Sequence, residues 1–261
     1  MTEARPLAEA WLRSVAGDLK IGVLFATRFP LPHAAPIGGA DIARASWALP
    51  VIGLGVGALG ALAYWVACYF GLSHLVGAAL AVAATLATTG CLHEDGLADT
   101  FDGLGGGSRE RKLEIMRDSR IGTYGACALA LSLLLRVAAL ASLAGPGPVA
   151  LALIAAHAGA RAMLPLFLAW VPPARPDGLS ADAGRPSLSN VVLAGLLGFV
   201  VMLASLGTAR SFAALVLLLV VLGVMRRLCL QQIGGQTGDT IGALEQLGEV
   251  VILLTAVADR T

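Results

Sequence analysis

The sequence predicts an all-α, polytopic integral membrane protein: a helix bundle with about seven spanning helices and an interfacial or re-entrant helix at its N-terminus. Of the 261 residues, 57% are hydrophobic, so a soluble domain would have to expose a large apolar surface to water. The mean hydropathy is +0.81, and apolar stretches recur from residue 46 onward without a soluble-looking block between them. We therefore expect residues 1–261 to form one membrane-embedded domain in contact with lipid.

Each spanning helix needs about 20 mainly apolar residues. Residues 8–29 mix charged and apolar positions, which is typical of a helix in the membrane interface, although a re-entrant helix fits equally well. In the first span, Gly53, Gly57 and Ala61 lie four residues apart, which predicts close packing against a neighbouring helix. The seven predicted spans, of which the second and the last are short, are 46–70, 75–91, 121–144, 148–171, 188–207, 211–229 and 242–258.

The distribution of Lys and Arg predicts the orientation of the bundle. Fourteen of the 18 lie in residues 1–45, 92–120, 172–187 and 226–241, two lie in the opposite segments, and two lie within spans. Because cytoplasmic loops are enriched in these residues, the four segments are predicted to face the cytoplasm. The net charge of +1 gives no reason to expect a nucleic-acid partner.

An acidic cluster, "HEDGLADTFDG", occupies residues 93–103, where the second apolar stretch ends. If it continues the second span as a helix, Asp95, Asp99 and Asp102 fall at i, i+4 and i+7 and share one face. Carboxylates this close repel one another unless a cation lies between them, and oxygen ligands favour Mg²⁺, Mn²⁺ or Ca²⁺. Alternatively, they solvate a helix end or pair with the bases that follow. His93 fits a proton acceptor, a metal ligand or an anchor at the headgroup level.

Basic residues follow the acidic cluster. Acids followed by bases suit phosphoryl transfer, in which a divalent cation contacts phosphate oxygens while Arg and Lys neutralise the remaining charge. The pattern predicts a phosphate ester or anhydride as substrate. The intervening "GLGGGS" (103–108) fits either a phosphate-binding loop or a flexible hinge. The five bases are Arg109, Arg111, Lys112, Arg117 and Arg120.

A second polar segment, "GGQTGDTIG" (234–242), lies on the same predicted side and contains Gln236 and Asp239. Asp239 fits a metal ligand and also the N-cap of the last helix, and the two roles are compatible. Within the last span, Glu245 and Glu249 are spaced i, i+4. Ionisable residues in a span usually face a polar interior, so these glutamates are expected to bind a cation or to pair with a buried base.

Two other spans contain ionisable residues. Arg136 lies in one of them, and His157 and Arg161 are spaced i, i+4 in the next. His157 and Arg161 fit an anion-binding pair, and a buried ion pair with one of the glutamates fits equally well.

The blocks "HEDGLADTFDG", "RKLEIMRDSRIGTYG" and "GGQTGDTIGA" resemble signature blocks of the cobalamin synthase family, the adenosylcobinamide-GDP ribazoletransferases. "TRFPLP" (27–32) and "GARAMLPLF" (159–167) resemble the family's N-terminal and central-helix blocks. The resemblance covers nearly the whole chain in the family's order. It implies transfer of the adenosylcobinamide phosphate group from adenosylcobinamide-GDP to α-ribazole or its 5'-phosphate. Adenosylcobalamin or its 5'-phosphate would form, GMP would be released, and Mg²⁺ would be the cofactor.

The resemblance also implies roles for individual residues. Metal ligands would be Asp95, Asp99, Asp102 and Asp239. Catalysis would involve His93, Asp95, Asp99, Arg117 and Arg120, with the two arginines gripping phosphate or helping to expel GMP. Substrate contacts are assigned to Arg28, Arg109, Lys112, Arg161 and Gln236. The sequence departs from the family's pattern beside these motifs, with Glu94 where an apolar residue is common and Tyr124 where histidine can occur.

The resemblance implies an integral protein of the bacterial cytoplasmic membrane whose active site faces the cytoplasm. It leaves open whether the chain forms a homo-oligomer or associates with other corrinoid-pathway enzymes. Two other functions fit parts of the sequence. A CDP-alcohol phosphotransferase also has spaced aspartates, but its D-G-x-x-A-R pattern is absent because Asp99 stands where the arginine would. A cation-coupled transporter would also keep charged residues in the membrane, but near mid-bilayer and in repeated halves.

Overall fold

The structure, a computed structural model, describes residues 4–32, 37–143, 145–182 and 184–258. Within these ranges the regular structure is helical, apart from one isolated bridge between Pro173 and Gln236. A 3₁₀ turn, Ser46–Ala48, joins the second and third α-helices. The α-helices are α1 (Ala4–Ala26), α2 (Gly39–Ala45), α3 (Leu49–Tyr69), α4 (His74–Thr89), α5 (Leu92–Leu104), α6 (Arg109–Ile115), α7 (Thr123–Ser142), α8 (Pro146–Ala162), α9 (Leu164–Trp170), α10 (Leu179–Asp182), α11 (Leu188–Leu206), α12 (Thr208–Gln232) and α13 (Gly238–Val257).

Short polar residues begin several of these helices. The side chains of Ser73, Ser108, Ser187 and Thr237 accept hydrogen bonds from the third residue of α4, α6, α11 and α13, respectively. An N-cap of this kind satisfies a backbone N–H that has no partner inside the helix. The apolar runs therefore start and stop at positions that the local sequence marks.

Six helical segments in the described part of the chain are long and apolar enough to cross a membrane. A seventh is reached if α4 and α5, which are bent by 90°, count as one span. The predicted all-α membrane bundle is confirmed. The six segments are Gly39–Tyr69, Thr123–Ser142, Pro146–Trp170, Leu188–Leu206, Thr208–Gln232 and Gly238–Val257.

The N-terminal helix α1 is one continuous helix and is not among these six segments. It is held against the start of the first span through Asp18. That carboxylate pairs with Arg44 and accepts a hydrogen bond of 2.9 Å from the Trp47 indole N–H. Whether this helix lies in the membrane interface or is re-entrant stays a prediction.

Helix α8 is the central element of the bundle. It packs against α3, α11 and α13 and is largely buried, whereas α11 and α12 expose most of their apolar side chains. Gly53 and Gly57 of α3 lie directly against the α8 backbone. A Cβ on Gly53 would collide with the carbonyl of His157, and one on Gly57 would lie 2.6 Å from the carbonyl oxygen of Leu153. The predicted close packing at this small-residue row is confirmed.

The predicted continuation of the second span into the acidic cluster is wrong. Gly90 and Cys91 both have left-handed backbone conformations, with φ of 65° and 58°, and α5 leaves α4 at 90°. Left-handed geometry is easy for glycine but costly for a residue with a Cβ. The acidic cluster is helical as predicted, but it forms a separate helix that turns across the bundle.

Candidate active site

Helices α5 and α13 cross at two glycines, and this crossing brings the acidic residues together. Gly96 of α5 faces the backbone of Asp239, and Gly242 of α13 faces the backbone of His93. A Cβ on Gly96 would lie 2.7 Å from the Asp239 carbonyl oxygen, and one on Gly242 would lie 3.2 Å from the His93 carbonyl oxygen. Because a side chain at Gly96 would force the helices apart, the start of α13 can lie against α5 only with glycine there.

Four carboxylates lie near enough to this crossing for the charges of three to act on the fourth, Asp99. Burial, followed by the charges of Asp95, Asp239 and Asp102, raises the pKa of Asp99 to about 7. The cluster therefore has excess negative charge, as a cation-binding site would. Among the described residues, no three of these aspartates bring ligand oxygens within 4.8 Å of one another, so the cluster is open.

Asp102 differs from the other three aspartates because it caps a helix. Its carboxylate accepts hydrogen bonds from the backbone N–H groups of Gly122 at 2.6 Å and Gly125 at 2.8 Å. A Cβ on either glycine would collide with this carboxylate. The "IGTYG" block thus docks the start of α7 onto α5. Each oxygen of this carboxylate accepts one hydrogen bond and keeps a second lone pair. The predicted metal role of Asp102 is therefore compatible with these hydrogen bonds and stays a prediction.

Asp239 lies in the first turn of α13, but the predicted N-cap role is wrong. Thr237 is the N-cap: its hydroxyl accepts from the Thr240 N–H at 3.3 Å, while the Thr240 hydroxyl accepts from the Thr237 N–H at 2.9 Å. The carboxylate of Asp239 accepts a hydrogen bond of 3.1 Å from the Thr237 hydroxyl and is 22% exposed. It is therefore accessible to a ligand at the helix N-terminus.

A cavity of about 510 Å³ lies beside the acidic face of α5. Glu94, Asp95 and Asp99 form its acidic wall, and Arg117 lies in the α6–α7 connection that faces them. The remainder is mainly apolar and comes from α4, α5 and α7. Such a cavity suits a ligand that has both an anionic and an apolar part.

The two arginines with predicted catalytic roles lie in the α6–α7 connection. Arg117 pairs with Asp177 at 2.6 Å, and Arg120 pairs with Asp118 at 2.6 Å. All four side chains are substantially exposed, so these pairs are weak. Both arginines can therefore exchange their partner for a phosphate, and only Arg117 lines the cavity described above.

Three residues with predicted substrate contacts lie at the edges of the site. Arg28 covers Gly90 at the α4–α5 bend, and Lys112 packs on Gly106 of the glycine-rich connection. Arg109 donates to the carbonyl oxygens of Ile233 at 2.9 Å and Ala174 at 2.6 Å. Arg109 thus braces two loops of the site. Substrate contact by these residues stays a prediction.

Arg161 and His93 lie in a buried ion network and not on the acidic face of α5. Arg161 is 1% exposed and pairs with Glu249 at 3.0 Å and also with Glu245. The His93 Nδ1 atom lies 3.3 Å from the Arg161 guanidinium and 3.4 Å from Glu245. The ion pair proposed as an alternative for Arg161 is confirmed. Neither side chain is among the described residues that line the cavity.

The same network includes a contact that sequence analysis missed. Arg136 donates to Glu94 at 2.9 Å and pairs with Glu249 at 3.2 Å. Glu94 therefore lies between the network and the cavity. The sequence predicts that Glu94 lies on a helix, but it does not reveal the pairing with Arg136, which is 42 residues away.

Sequence analysis also missed that the segment between α9 and α10 is part of the site. The Ala174 N–H donates to the Gln236 carbonyl, and the Gln236 N–H donates to the Pro172 carbonyl, both at 2.8 Å. Gly235 permits this contact, since a Cβ there would collide with Pro172. Gln236, a predicted substrate contact, has a side chain that is 1% exposed. The signal available in the sequence was the "PPARPD" run, which contains acidic and basic residues after an apolar span.

Comparison with known proteins shows which family has this arrangement. The cobalamin-5-phosphate synthase family matches the chain over residues 18–257. The chain therefore belongs to the cobalamin-5-phosphate synthase family. A relative from Bradyrhizobium diazoefficiens, named adenosylcobinamide-GDP ribazoletransferase, is 55% identical over 248 residues, which is 95% of each chain. A relative of the same name from Mesorhizobium japonicum is 51% identical over 94% of each chain. No solved structure matches the chain.

Membership of the cobalamin-5-phosphate synthase family agrees with the resemblance read from the sequence blocks. In the structure, "HEDGLADTFDG" forms α5, "MRDSRIGTYG" connects α6 to α7, and "GGQTGDTIGA" begins α13. These three blocks of the family member meet at one site beside the cavity. Neither the CDP-alcohol phosphotransferase nor the cation-coupled transporter alternative is supported by the match.

Proposed function

We propose that this protein is an adenosylcobinamide-GDP ribazoletransferase. It would transfer the adenosylcobinamide phosphate group to α-ribazole or α-ribazole 5'-phosphate and release GMP. The observation that carries this proposal is that Asp95 and Asp99 line a cavity together with Arg117, while the charge of Asp239 acts on Asp99 from the start of α13. Family membership and the names of the relatives add the identity of the substrates.

The residues of the acidic site fit a divalent cation. The donors are carboxylate oxygens, which Mg²⁺ prefers. Burial first, and then the charges of Asp95, Asp239 and Asp102, raise the pKa of Asp99, and a bound cation would offset both effects. Asp95, Asp99 and Asp239 would hold Mg²⁺. When bound, the ion would supply Lewis-acid stabilisation of charge on the phosphate oxygens.

The chain's own residues account for binding and for the proton. Arg117, which lines the cavity, would leave Asp177 and neutralise a phosphate oxygen. Arg120, Lys112 and Arg28 would supply further positive charge for the phosphates. The ribazole hydroxyl would attack the phosphorus that is bonded to the cobinamide oxygen, and the bond to the GMP oxygen would break. Because His93 is buried away from the cavity, the hydroxyl proton would pass to an aspartate of the site.

We further propose that the site faces the cytoplasm in the bacterial inner membrane. The proposal rests on the enrichment of Lys and Arg in the segments that form the site. A nucleotide-linked substrate is available in the cytoplasm, which agrees with this orientation. Formation of a homo-oligomer and association with other corrinoid-pathway enzymes stay predictions.

The proposed activity is tested with purified full-length protein in detergent or nanodiscs. Adenosylcobinamide-GDP and α-ribazole 5'-phosphate are supplied with and without Mg²⁺, and GMP and the corrinoid product are quantified. We expect turnover only with the metal, and a fall in kcat of at least about 100-fold for Asp95→Asn and for Asp239→Asn. Asp182→Asn, at an exposed acid of α10, is the control. Turnover without metal, or near-normal turnover in both site variants, would refute the metal site, and the absence of GMP and corrinoid product would refute the proposed activity.

A further inference from the structure

Arg175 is a basic residue of the site to which sequence analysis assigned no role. It lies in the segment between α9 and α10, and its NH2 atom is 3.7 Å from the Asp239 carboxylate. This distance is longer than a hydrogen bond, so the pair is a loose electrostatic contact. The Arg175 side chain is only 18% exposed.

The backbone around Arg175 is fixed relative to the start of α13. The two hydrogen bonds between residues 172–174 and Gln236 tie this segment to the loop that leads directly into the Thr237 N-cap. Arg109 ties the same segment again through the Ala174 carbonyl. The backbone that carries Arg175 is therefore held beside the start of α13 before any ligand binds, which lowers the entropic cost of binding.

The guanidinium has unused binding capacity. Its NH1 atom is buried and has no hydrogen-bond partner among the described residues. A buried donor without an acceptor is costly, and a bound ligand that supplies an acceptor would remove this cost. By contrast, the two nitrogens of Arg109 that reach the loops already donate to carbonyls.

We propose that Arg175 binds the diphosphate of the nucleotide-linked substrate. Arginine presents its N–H groups in a planar fork that matches two phosphate oxygens. In the free protein Asp239 attracts the guanidinium. A cation bound by Asp239 would neutralise that carboxylate, so Arg175 would be available to the phosphate beside it. This inference rests on the proposed function, because it takes the ligand to be a nucleoside diphosphate ester.

The test compares Arg175→Gln, Arg175→Lys and the control Arg185→Gln in the full-length protein. Arg185 is an exposed arginine of the same cytoplasmic segment, so its variant removes the same charge outside the site. Titration calorimetry measures the binding of GDP in the presence of Mg²⁺, and the binding of Mn²⁺ alone. The KM for adenosylcobinamide-GDP is measured in parallel.

For Arg175→Gln we expect GDP affinity to fall by about 10- to 100-fold. Mn²⁺ should bind at least as tightly as in the wild type, because the variant lacks a positive charge that competes with the cation for Asp239. Arg175→Lys should recover part of the GDP affinity, and Arg185→Gln should leave it unchanged. A merely structural Arg175 would instead weaken Mn²⁺ and GDP binding together. GDP affinity within twofold of the wild type, or such a parallel loss, would overturn the inference.

The outcome is separable from that of the proposed function. If the wild type binds GDP but releases no GMP from adenosylcobinamide-GDP and an α-ribazole acceptor, the proposed function fails and the phosphate contact of Arg175 stands. If the wild type is active and Arg175→Gln keeps its KM and its GDP affinity, only the inference fails. Arg175→Lys keeps the test decisive should the glutamine variant not fold.

Discussion

Asp99 and Asp102 lie three residues apart on α5 and have opposite surroundings. Asp102 accepts two backbone hydrogen bonds that fix the start of α7, whereas Asp99 is surrounded by the charges of Asp95, Asp239 and Asp102. Hydrogen bonds from N–H groups stabilise a charged carboxylate, and neighbouring carboxylates destabilise one. Asp102 therefore holds the start of α7 in place, whereas the proposed role of Asp99 is to bind a ligand; a metal role for Asp102 also stays a prediction.

The raised pKa of Asp99 predicts how metal binding depends on pH. Below about pH 7 the Asp99 carboxyl is protonated, and a cation must displace that proton. The apparent affinity for Mg²⁺ should therefore fall about tenfold for each pH unit below 7 and level off above it. The raised pKa also affects the folding stability of the metal-free protein. Between pH 3.8 and about 7, Asp99 binds more protons in the folded state than in the unfolded chain. Folding stability therefore falls as the pH rises through this window, the opposite of the effect of an ion-paired acid.

Titration calorimetry with Mg²⁺ or Mn²⁺ between pH 5.5 and 8 measures this dependence. Asp99→Asn should bind the metal more weakly, and its remaining affinity should be nearly independent of pH across this range. An equally steep dependence in Asp99→Asn would show that another group takes up the proton.

The elements of the site show which features a sequence can reveal. The helical spacing of the acids predicted α5, and the paired polar segments predicted that Asp239 belongs with them. The 90° bend was missed because Cys91 adopts a left-handed conformation that its residue type does not signal. Arg175 and the Arg136–Glu94 pair were missed for another reason: their partners are 64 and 42 residues away, and such pairings depend on how the helices pack.

The crossing of α5 and α13 predicts the effect of Gly96→Ala. The new methyl group would lie 2.7 Å from the Asp239 carbonyl oxygen, so the two helices must separate and Asp239 must move away from Asp95 and Asp99. We expect kcat to fall at least about tenfold and stability to fall by about 1–3 kcal/mol. Turnover and thermal unfolding of the purified protein measure the two effects.

Gly55→Ala is the matched control, because a Cβ at this helical glycine would meet nothing within 4 Å in the described part of the chain. It should leave kcat unchanged and slightly raise stability, since alanine is the better helix former. Equal activities for the two variants would mean that the α5–α13 crossing does not position the site.

At the scale of the whole molecule, a buried ion network joins the helices around the site. Arg136 of α7 contacts Glu94 of α5 and Glu249 of α13, and Arg161 of α8 contacts Glu249 and Glu245. The network contains three acids and two arginines together with His93 and His157, and all of these residues are nearly inaccessible to water. Removing one partner of a buried pair leaves an uncompensated charge and costs about 3–5 kcal/mol.

Arg136→Met should therefore destabilise the protein by about that amount. Adding Glu249→Gln should recover part of the loss, because it removes one of the carboxylates that Arg136 neutralised. The exposed pair of Arg111 and Glu114, at 2.8 Å, provides the control: Arg111→Met should cost no more than about 1 kcal/mol. Unfolding by denaturant or SDS titration compares the variants. A loss below 1 kcal/mol for Arg136→Met would show that the network is dispensable.

The orientation of the molecule gives a prediction that needs no substrate. Ser108, before α6, belongs to a segment rich in Lys and Arg, whereas Ser73, before α4, lies at the opposite end of that helix from the site; both are exposed. In a variant with the four native cysteines replaced by serine, Ser73→Cys should react with a membrane-impermeant maleimide in intact spheroplasts. Ser108→Cys should react only after the membrane is permeabilised. The reverse pattern would place the acidic site outside the cytoplasm, away from a supply of nucleotide-linked substrate. Labelling of both positions in intact spheroplasts would show that α4 does not cross the membrane.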